Sequence, residues 1–271
     1  MPSMLKTLLE SISEKKRHAP AILLTALAPM FIRTALADST TFSLAVLESN
    51  GHYGLETPTR MRASVFKISH RSRTGGVSLA IPYLDINGSA SLLYEDIDTG
   101  ELFLVDEDDH RAGLGDVIIK FDHKAWEDVI KDKRIDIGGS VKLATGDQEN
   151  QLGSDTTDWS VFISARSWKK NNLLTGQIGY QISGNSEFAE RNNRFFLSAH
   201  FYRVFNPSWG AGVSVRFKQR FEEAYDDQKS IGLFLSHRIN SAWNTSLRLN
   251  HGLSESVSRN SLGLEVSYQL R

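Results

Sequence analysis

The side chains best suited to chemistry in this sequence are lysines and arginines at every second position of otherwise apolar segments. Arg216 and Lys218, for example, alternate with Val215 and Phe217. Successive side chains of a β-strand point to opposite faces, so such a segment has one apolar face and one basic face. A passage lined by the basic face would raise the local concentration of anions. The cations in question are Lys142, Arg166, Arg216, Lys218, Arg238 and Arg248, and the fewer acids on the same face are Asp116, Asp136 and Glu265.

Strands are the elements that must position these residues, and alternation runs through most of the chain. It is clearest in Ser261–Arg271, where apolar side chains occupy the even positions from Leu262 to Leu270. Such a segment has the length of a tilted bilayer crossing, which takes about 9–11 residues. The predicted strands are Thr41–Leu47, Arg60–His70, Gly75–Tyr83, Gly113–Asp122, Arg134–Thr145, Thr157–Trp168, Leu173–Ser183, Asn193–Phe205, Trp209–Phe221, Ser230–Asn240, Trp243–Ser254 and Ser261–Arg271.

The links between these strands alternate in length. Short links at 169–172, 206–208 and 241–242 separate longer polar links at 146–156, 184–192, 222–229 and 255–260. Outer-membrane barrels have short periplasmic turns and longer extracellular loops, so this order places the last strand running towards the periplasm. Two links fit less simply, because 85–112 is long and acidic and 123–133 is long for a periplasmic turn.

The sequence therefore predicts an all-β protein, a transmembrane antiparallel up-and-down β-barrel of about 12 strands. Barrels of 10 or 14 strands are the neighbouring possibilities. The larger number depends on a hairpin formed by 89–95 and 101–105, which is either two more strands or an extension of the outer loop.

The N-terminus carries the features of an export signal. A basic cluster at 15–18 precedes an apolar run from Ala19 to Ile32, and Ala35-Leu36-Ala37 has the small-x-small pattern of a cleavage site. We expect residues 1–37 to be a cleaved secretory signal peptide, 38–59 to be a first strand or a plug, and 60–271 to form the barrel. The chain has no cysteine, which excludes disulfides, thiol chemistry and lipid attachment through cysteine.

A soluble periplasmic β-sandwich or lipocalin-like barrel is the competing fold, because its strands alternate too. Aromatic residues near predicted strand ends favour the membrane barrel, since interfacial girdles need them there. These residues are Trp159, Trp168, Trp209, Trp243, Tyr180 and Tyr268.

Catalysis is the main alternative use of the polar residues. His237 and His251 fall on the predicted lipid face, where outer-membrane hydrolases place their catalytic groups, and each has a nearby serine. No carboxylate or amide in a recognisable motif accompanies them to orient the base. The sequence therefore predicts no catalytic residue, no metal site and no cofactor, and it contains no nucleic-acid motif.

Three short motifs stand in a familiar order. They are Gly113-Leu114-Gly115-Asp116, Lys142-Leu143-Ala144-Thr145-Gly146-Asp147 and the segment from Leu152 to Ser160. They resemble the outer-membrane family named after the meta-pathway of phenol degradation, best over residues 110–184. The resemblance implies a FadL-like barrel that transports hydrophobic aromatic compounds. Turn roles for Gly113, Gly115, Asp116, Thr145, Gly146 and Asp147 are the structural interpretation, and ligand contact is the alternative.

These observations predict a channel or transporter in the bacterial outer membrane for small hydrophobic, aromatic or anionic compounds. Its expected partners are outer-membrane lipid, the assembly machinery and a small-molecule solute. A lumen closed by arginine–carboxylate networks, an outer-membrane lipid-modifying hydrolase and a surface barrel without transport remain the alternatives. Arg271 departs from the aromatic residue that usually ends such chains.

Overall fold

The computed structural model describes residues 39–53, 57–96, 99–148, 150–184, 191–220 and 225–270. The predicted signal peptide and Arg271 lie outside these ranges. Within them, no helix has the length and hydrophobicity that a membrane crossing requires. The strands are β1 Ser39–Gly51, β2 Thr59–Arg71, β3 Gly75–Asp96, β4 Thr99–Leu114, β5 Val117–Asp128, β6 Lys133–Leu143, β7 Asp158–Lys169, β8 Asn172–Ile182, β9 Arg194–Val204, β10 Trp209–Lys218, β11 Gln228–Arg238, β12 Trp243–Gly252 and β13 Asn260–Leu270.

The strands form one closed antiparallel ring. Neighbours in sequence pair from β5 to β13, β13 pairs with β1, and β1, β2 and β3 pair in order. β3 completes the ring by pairing with β5 through Gly75–Ala80. Closure gives every barrel strand two partners, which is what a sheet in lipid requires.

β4 and β5 share one position in the ring, which therefore has twelve strand positions. Both pair antiparallel with β3. β4 pairs with the C-terminal part of β3, from Tyr83 to Asp96, and β5 pairs with its N-terminal part, Gly75–Ala80. Between the pairs Tyr83–Leu114 and Ala80–Ile118, the second strand has one residue more than β3, as in a β-bulge. The bulge lies at Gly115 and Asp116, and the Gly115 amide still donates to the Pro82 carbonyl at 2.9 Å.

The predicted barrel of about twelve strands is confirmed, and the structure shows how the two unusual links are built. β3 continues to Asp96 and β4 begins at Thr99, so most of 85–112 is a long hairpin that extends the outer side. In the described pairings its two arms pair with each other beyond the ring, so it adds no barrel strands and is the extension of the outer loop that the sequence allowed. β5 continues to Asp128, which shortens the next turn to 129–132. Of the segment 38–59, residues 39–51 form β1.

Apolar side chains point away from the ring. Val213, Leu247 and Leu264 are 43%, 40% and 50% exposed, whereas Arg216 and Arg248 on the same strands face the lumen. An apolar outer surface on a closed sheet is the arrangement that contact with lipid requires. This outward band excludes the soluble sandwich, and the chain is an outer-membrane β-barrel.

Replacing Val213 with arginine should reveal the contact with lipid. Val213 lies in the middle of β10, so we expect Val213→Arg to lower the free energy of unfolding by about 2–4 kcal/mol. Urea titration of protein refolded in lipid vesicles, followed by tryptophan fluorescence, measures this change. Val213→Leu is the control and should unfold like the parent. Equal stability of the arginine variant would contradict an outward lipid face at β10.

Aromatic side chains mark both rims of the apolar band. Trp168, Trp209, Trp243 and Tyr268 lie at the end with the short turns, and the Trp243 and Tyr268 rings are 5.0 Å apart. Trp159 and Tyr180 lie at the other end, where Tyr180 packs edge-on against Phe195 at 4.8 Å. Both girdles agree with the sequence prediction.

The lumen beside β1, β2 and β3 is apolar, which the sequence analysis did not predict. Two residues of outer loops, Tyr53 and Leu152, pack into it, and Tyr225 of a third outer loop contacts it. Docked loops explain why apolar residues point inward on these strands. The inward residues are Ala45, Leu47, Met61, Ala63, Val65, Leu84 and Ile86.

Candidate solute pathway

A cavity of about 560 Å³ occupies the lumen, and its walls are rich in cations. Four of the predicted pore-lining residues line it, namely Lys142, Arg216, Lys218 and Arg248, and so does the predicted acid Glu265. Lys67 and Lys120 also line it, and they join the set from β2 and β5. The alternation around Lys67 is weak because Met61, Ala63 and Val65, which precede it on the same face, are apolar, so the polar pattern does not single out Lys67.

Three other predicted residues lie towards the end with the short turns. Arg166 is the cross-strand partner of Arg134, and Arg134 forms an ion pair with the predicted acid Asp136. Arg238 is the exposed last residue of β11 and does not line the cavity. Together with the Arg71–Asp122 pair at 3.1 Å, Arg134 and Asp136 place paired charges in this part of the lumen.

An ion network centred on Asp158 joins an outer loop to the barrel wall, and its members Lys142, Asp158 and Gln181 also line the cavity. Arg191, from the β8–β9 loop, donates from Nη1 to Asp158 Oδ1 and from Nη2 to Asp158 Oδ2, both at 3.0 Å. Lys142 Nζ lies 2.7 Å from Asp158 Oδ2. Gln181 Nε2 and the Gly184 amide also donate to this carboxylate, at 3.2 and 2.9 Å. The side chains of Arg191 and Asp158 are 0% and 4% exposed, so the network is dry, and both cations contact the one carboxylate.

A second carboxylate, Asp116, holds the β6–β7 loop. It lies in the bulge between β4 and β5, is 2% exposed and accepts four hydrogen bonds. The donors are the backbone amides of Thr145, Gly146 and Ser154, at 3.1, 2.9 and 2.8 Å, and the Ser154 hydroxyl at 2.8 Å. An ionised carboxylate suits this role because it only accepts hydrogen bonds. Asp116 therefore fixes both ends of the loop segment that carries Leu152 into the lumen.

The other motif residues pack around this clamp. The Thr145 hydroxyl accepts a hydrogen bond from the Val117 amide at 2.9 Å, and the Asp147 amide donates to the Leu114 carbonyl at 2.8 Å. At Gly113 a Cβ atom would lie 2.9 Å from the Asp147 carboxylate and 3.0 Å from Leu152, so a larger residue would force these side chains to shift. The structure thus brings together all six motif residues predicted from the sequence, with contacts that belong to loop docking.

Two loop residues show what burial does to ionisation near the docked loops. Desolvation raises the pKa of Tyr53 to about 12, although hydrogen bonds with Ser49 and Ser258 act in the opposite direction. Partial burial raises the pKa of Asp155 as well, and the nearby charge of Asp116 adds to the shift. Tyr53 therefore remains a neutral part of the apolar cluster at physiological pH.

The histidines considered for catalysis lie far apart along the barrel. His237 stacks on Trp209 at the end with the short turns, with ring centres 4.1 Å apart. His251 lies near the opposite end of β12, where Nδ1 is 3.0 Å from the Asn260 side chain. Neither pairs with a carboxylate in the contacts described. Within the described ranges, no three His, Asp or Glu residues lie close enough together to hold a metal ion.

Solved structures of an outer membrane channel and of a porin superimpose on this barrel. An outer membrane channel from Pseudomonas putida F1 superimposes with a TM-score of 0.68 at 9% identity, covering 86% of this chain and 96% of that one. The KdgM porin superimposes with a TM-score of 0.54 at 11% identity, covering 86% and 100%. No curated protein sequence matches the chain. Residues 50–270 match the family described as "Putative MetA-pathway of phenol degradation", and the chain belongs to that family.

Proposed function

We propose that this protein is a passive channel for small organic solutes across the outer membrane. The observation that carries the proposal is the cation-lined cavity of about 560 Å³ within the closed barrel. This volume falls in the range of pockets that hold drug-sized molecules, about 300–1,000 Å³. A structural barrel needs no such space, because its lumen can be filled by side chains.

Family membership supports the proposal in chemical terms. The family description refers to phenol degradation, so aromatic compounds or their ionised derivatives are the natural cargo. The P. putida channel and the porin show that this fold can enclose a pathway. The placement of His237 and His251 at opposite ends gives no support to a lipid-modifying hydrolase. Outer-membrane lipid around the apolar band, the barrel assembly machinery and a small-molecule solute are the proposed partners.

Conductance in planar bilayers tests this function. We expect protein refolded in detergent to migrate faster on gels before heating than after heating, and to produce discrete current steps after insertion. Heat-inactivated protein is the control and should give none. A folded, heat-modifiable protein that passes no current and does not accelerate swelling of solute-loaded vesicles would contradict the channel proposal.

A further inference from the structure

We infer that the lumen selects amphipathic monoanions, small molecules with one carboxylate or sulfonate on an aromatic ring. The inference rests on the proposed channel function and names the class of its solute. Three features of the cavity support the inference: its excess of positive charge, its apolar lining and the position of two of its cations over aromatic rings.

The first feature is the charge excess. Among the described residues that line the cavity, six are lysine or arginine and two are acids, a formal excess of four positive charges. One of the acids, Asp158, is already in contact with Lys142 and Arg191. Charges of one sign that line a cavity with low-dielectric walls act together, because the walls focus their field into the cavity. The cavity therefore attracts anions and repels cations.

The second feature is the apolar surface beside these charges. Ala80 and Ile118 line the cavity and also pack against the apolar cluster on β1, β2 and β3. Phe196 and Val257 line other parts of the same space. A solute ring can therefore lose water against these side chains while its charged group remains near a cation.

The third feature is that two of the cations lie over phenylalanine rings. Lys120 Nζ is 4.7 Å from the centre of the Phe162 ring, and the Arg248 guanidinium is 5.9 Å from that of Phe234. Gly138 leaves the space that the edge of Phe162 occupies, and Gly212 does the same for Phe234. Each of these two cations therefore lies next to an aromatic ring. A solute with an aromatic ring and an anionic group could contact the ring with its own ring and the cation with its charge.

Other solute classes would use only part of this lining. A neutral aromatic hydrocarbon would gain the apolar contacts but would displace water from the cations without replacing it. A small inorganic anion would use the charges alone. An aromatic monoanion uses both, which separates this inference from transport of hydrocarbons as such.

Vesicle-swelling assays with four matched solutes test the inference. The probes are benzoate, benzyl alcohol, benzylammonium and acetate, applied to vesicles that contain the purified protein. We expect benzoate to enter about tenfold faster than benzylammonium, and faster than both benzyl alcohol and the smaller acetate. The preference over benzylammonium should weaken in high salt, because salt screens the lumen cations.

A variant neutralised in the cavity supplies the second arm. Lys120→Gln, Arg216→Gln and Arg248→Gln combined should reduce the benzoate preference to less than about threefold. Lys229→Gln, on the exposed side of β11, should leave the preference unchanged. If the triple variant does not fold, Lys120→Gln alone should lower the preference in the same direction.

The outcomes separate the two proposals. Equal entry of benzoate and benzylammonium would overturn the charge selection and leave the channel function standing. Acetate entering faster than benzoate would overturn the role of the ring. Failure of all four probes to enter would overturn the channel function itself.

Discussion

Replacing Asp158 with alanine is expected to lower the free energy of unfolding by about 3–5 kcal/mol, because it removes a buried carboxylate that two buried cations contact. Arg191 is fully buried, and Lys142 is 6% exposed. The loop that carries Arg191 would leave its place beside the wall, so open-channel current should also become noisier. Urea titration in lipid vesicles measures the stability, and planar bilayers measure the noise.

Matched variants show whether this effect belongs to the ion network. Asp158→Asn keeps the shape and part of the hydrogen bonding, and should cost less than alanine. Adding Lys142→Met to Asp158→Ala should restore part of the loss, since it removes one of the two buried cations that lost this carboxylate. A double variant no more stable than Asp158→Ala alone would contradict the coupling between Lys142 and Asp158.

Replacing Asp116 with alanine is expected to release the β6–β7 loop. Three backbone amides and one hydroxyl would lose their acceptor together. Each unsatisfied buried donor costs about 1–3 kcal/mol, although water would reach some of them once the loop moves. When protease is added to intact vesicles that contain the variant, we expect faster cleavage of the protein within residues 145–154. We also expect a larger mean conductance, because Leu152 leaves the lumen.

Asp155→Asn is the matched control for this prediction. Burial and the charge of Asp116 both raise the pKa of Asp155, so the neutral amide should fit its position at least as well as the carboxylate. The control should therefore cleave no faster than the parent protein. Cleavage of the Asp116→Ala variant at the parental rate would show that the loop is held by its apolar contacts alone.

The regular alternation of apolar and polar residues made the strands of the second half of the barrel predictable. From β10 to β13, glycine, serine and cations alternate with aliphatic residues, because one face meets lipid and the other meets the lumen. β2 gives a weaker signal, since Met61 and Val65 point inward while Phe66 and Ile68 point outward. In β5 a register shift between Lys124 and Trp126 breaks the period, and the segment was therefore interpreted as a loop.

The pathway was predictable in its charge but not in its construction. The cations of β6, β10 and β12 were visible as polar positions in alternating strands. The docking of outer loops was not, because one acid that accepts four hydrogen bonds has no local sequence pattern. Arg191 shows the same limit, since only the folded barrel brings it to Asp158.

The pairing of β1 with β13 has a consequence for how the protein is made. Thr40 and Leu270 are cross-strand neighbours although they stand near opposite ends of the chain. Among the described strand pairs, this one joins the residues farthest apart in sequence and therefore requires the largest loop closure, whose entropic cost can be offset only once both strands are available. Until then the sheet has two edge strands whose unpaired backbone N–H and C=O groups cannot form hydrogen bonds with hydrocarbon. Insertion into the membrane and closure of the ring must therefore occur together. A chain without β13 could not close the ring and would be unstable in the bilayer.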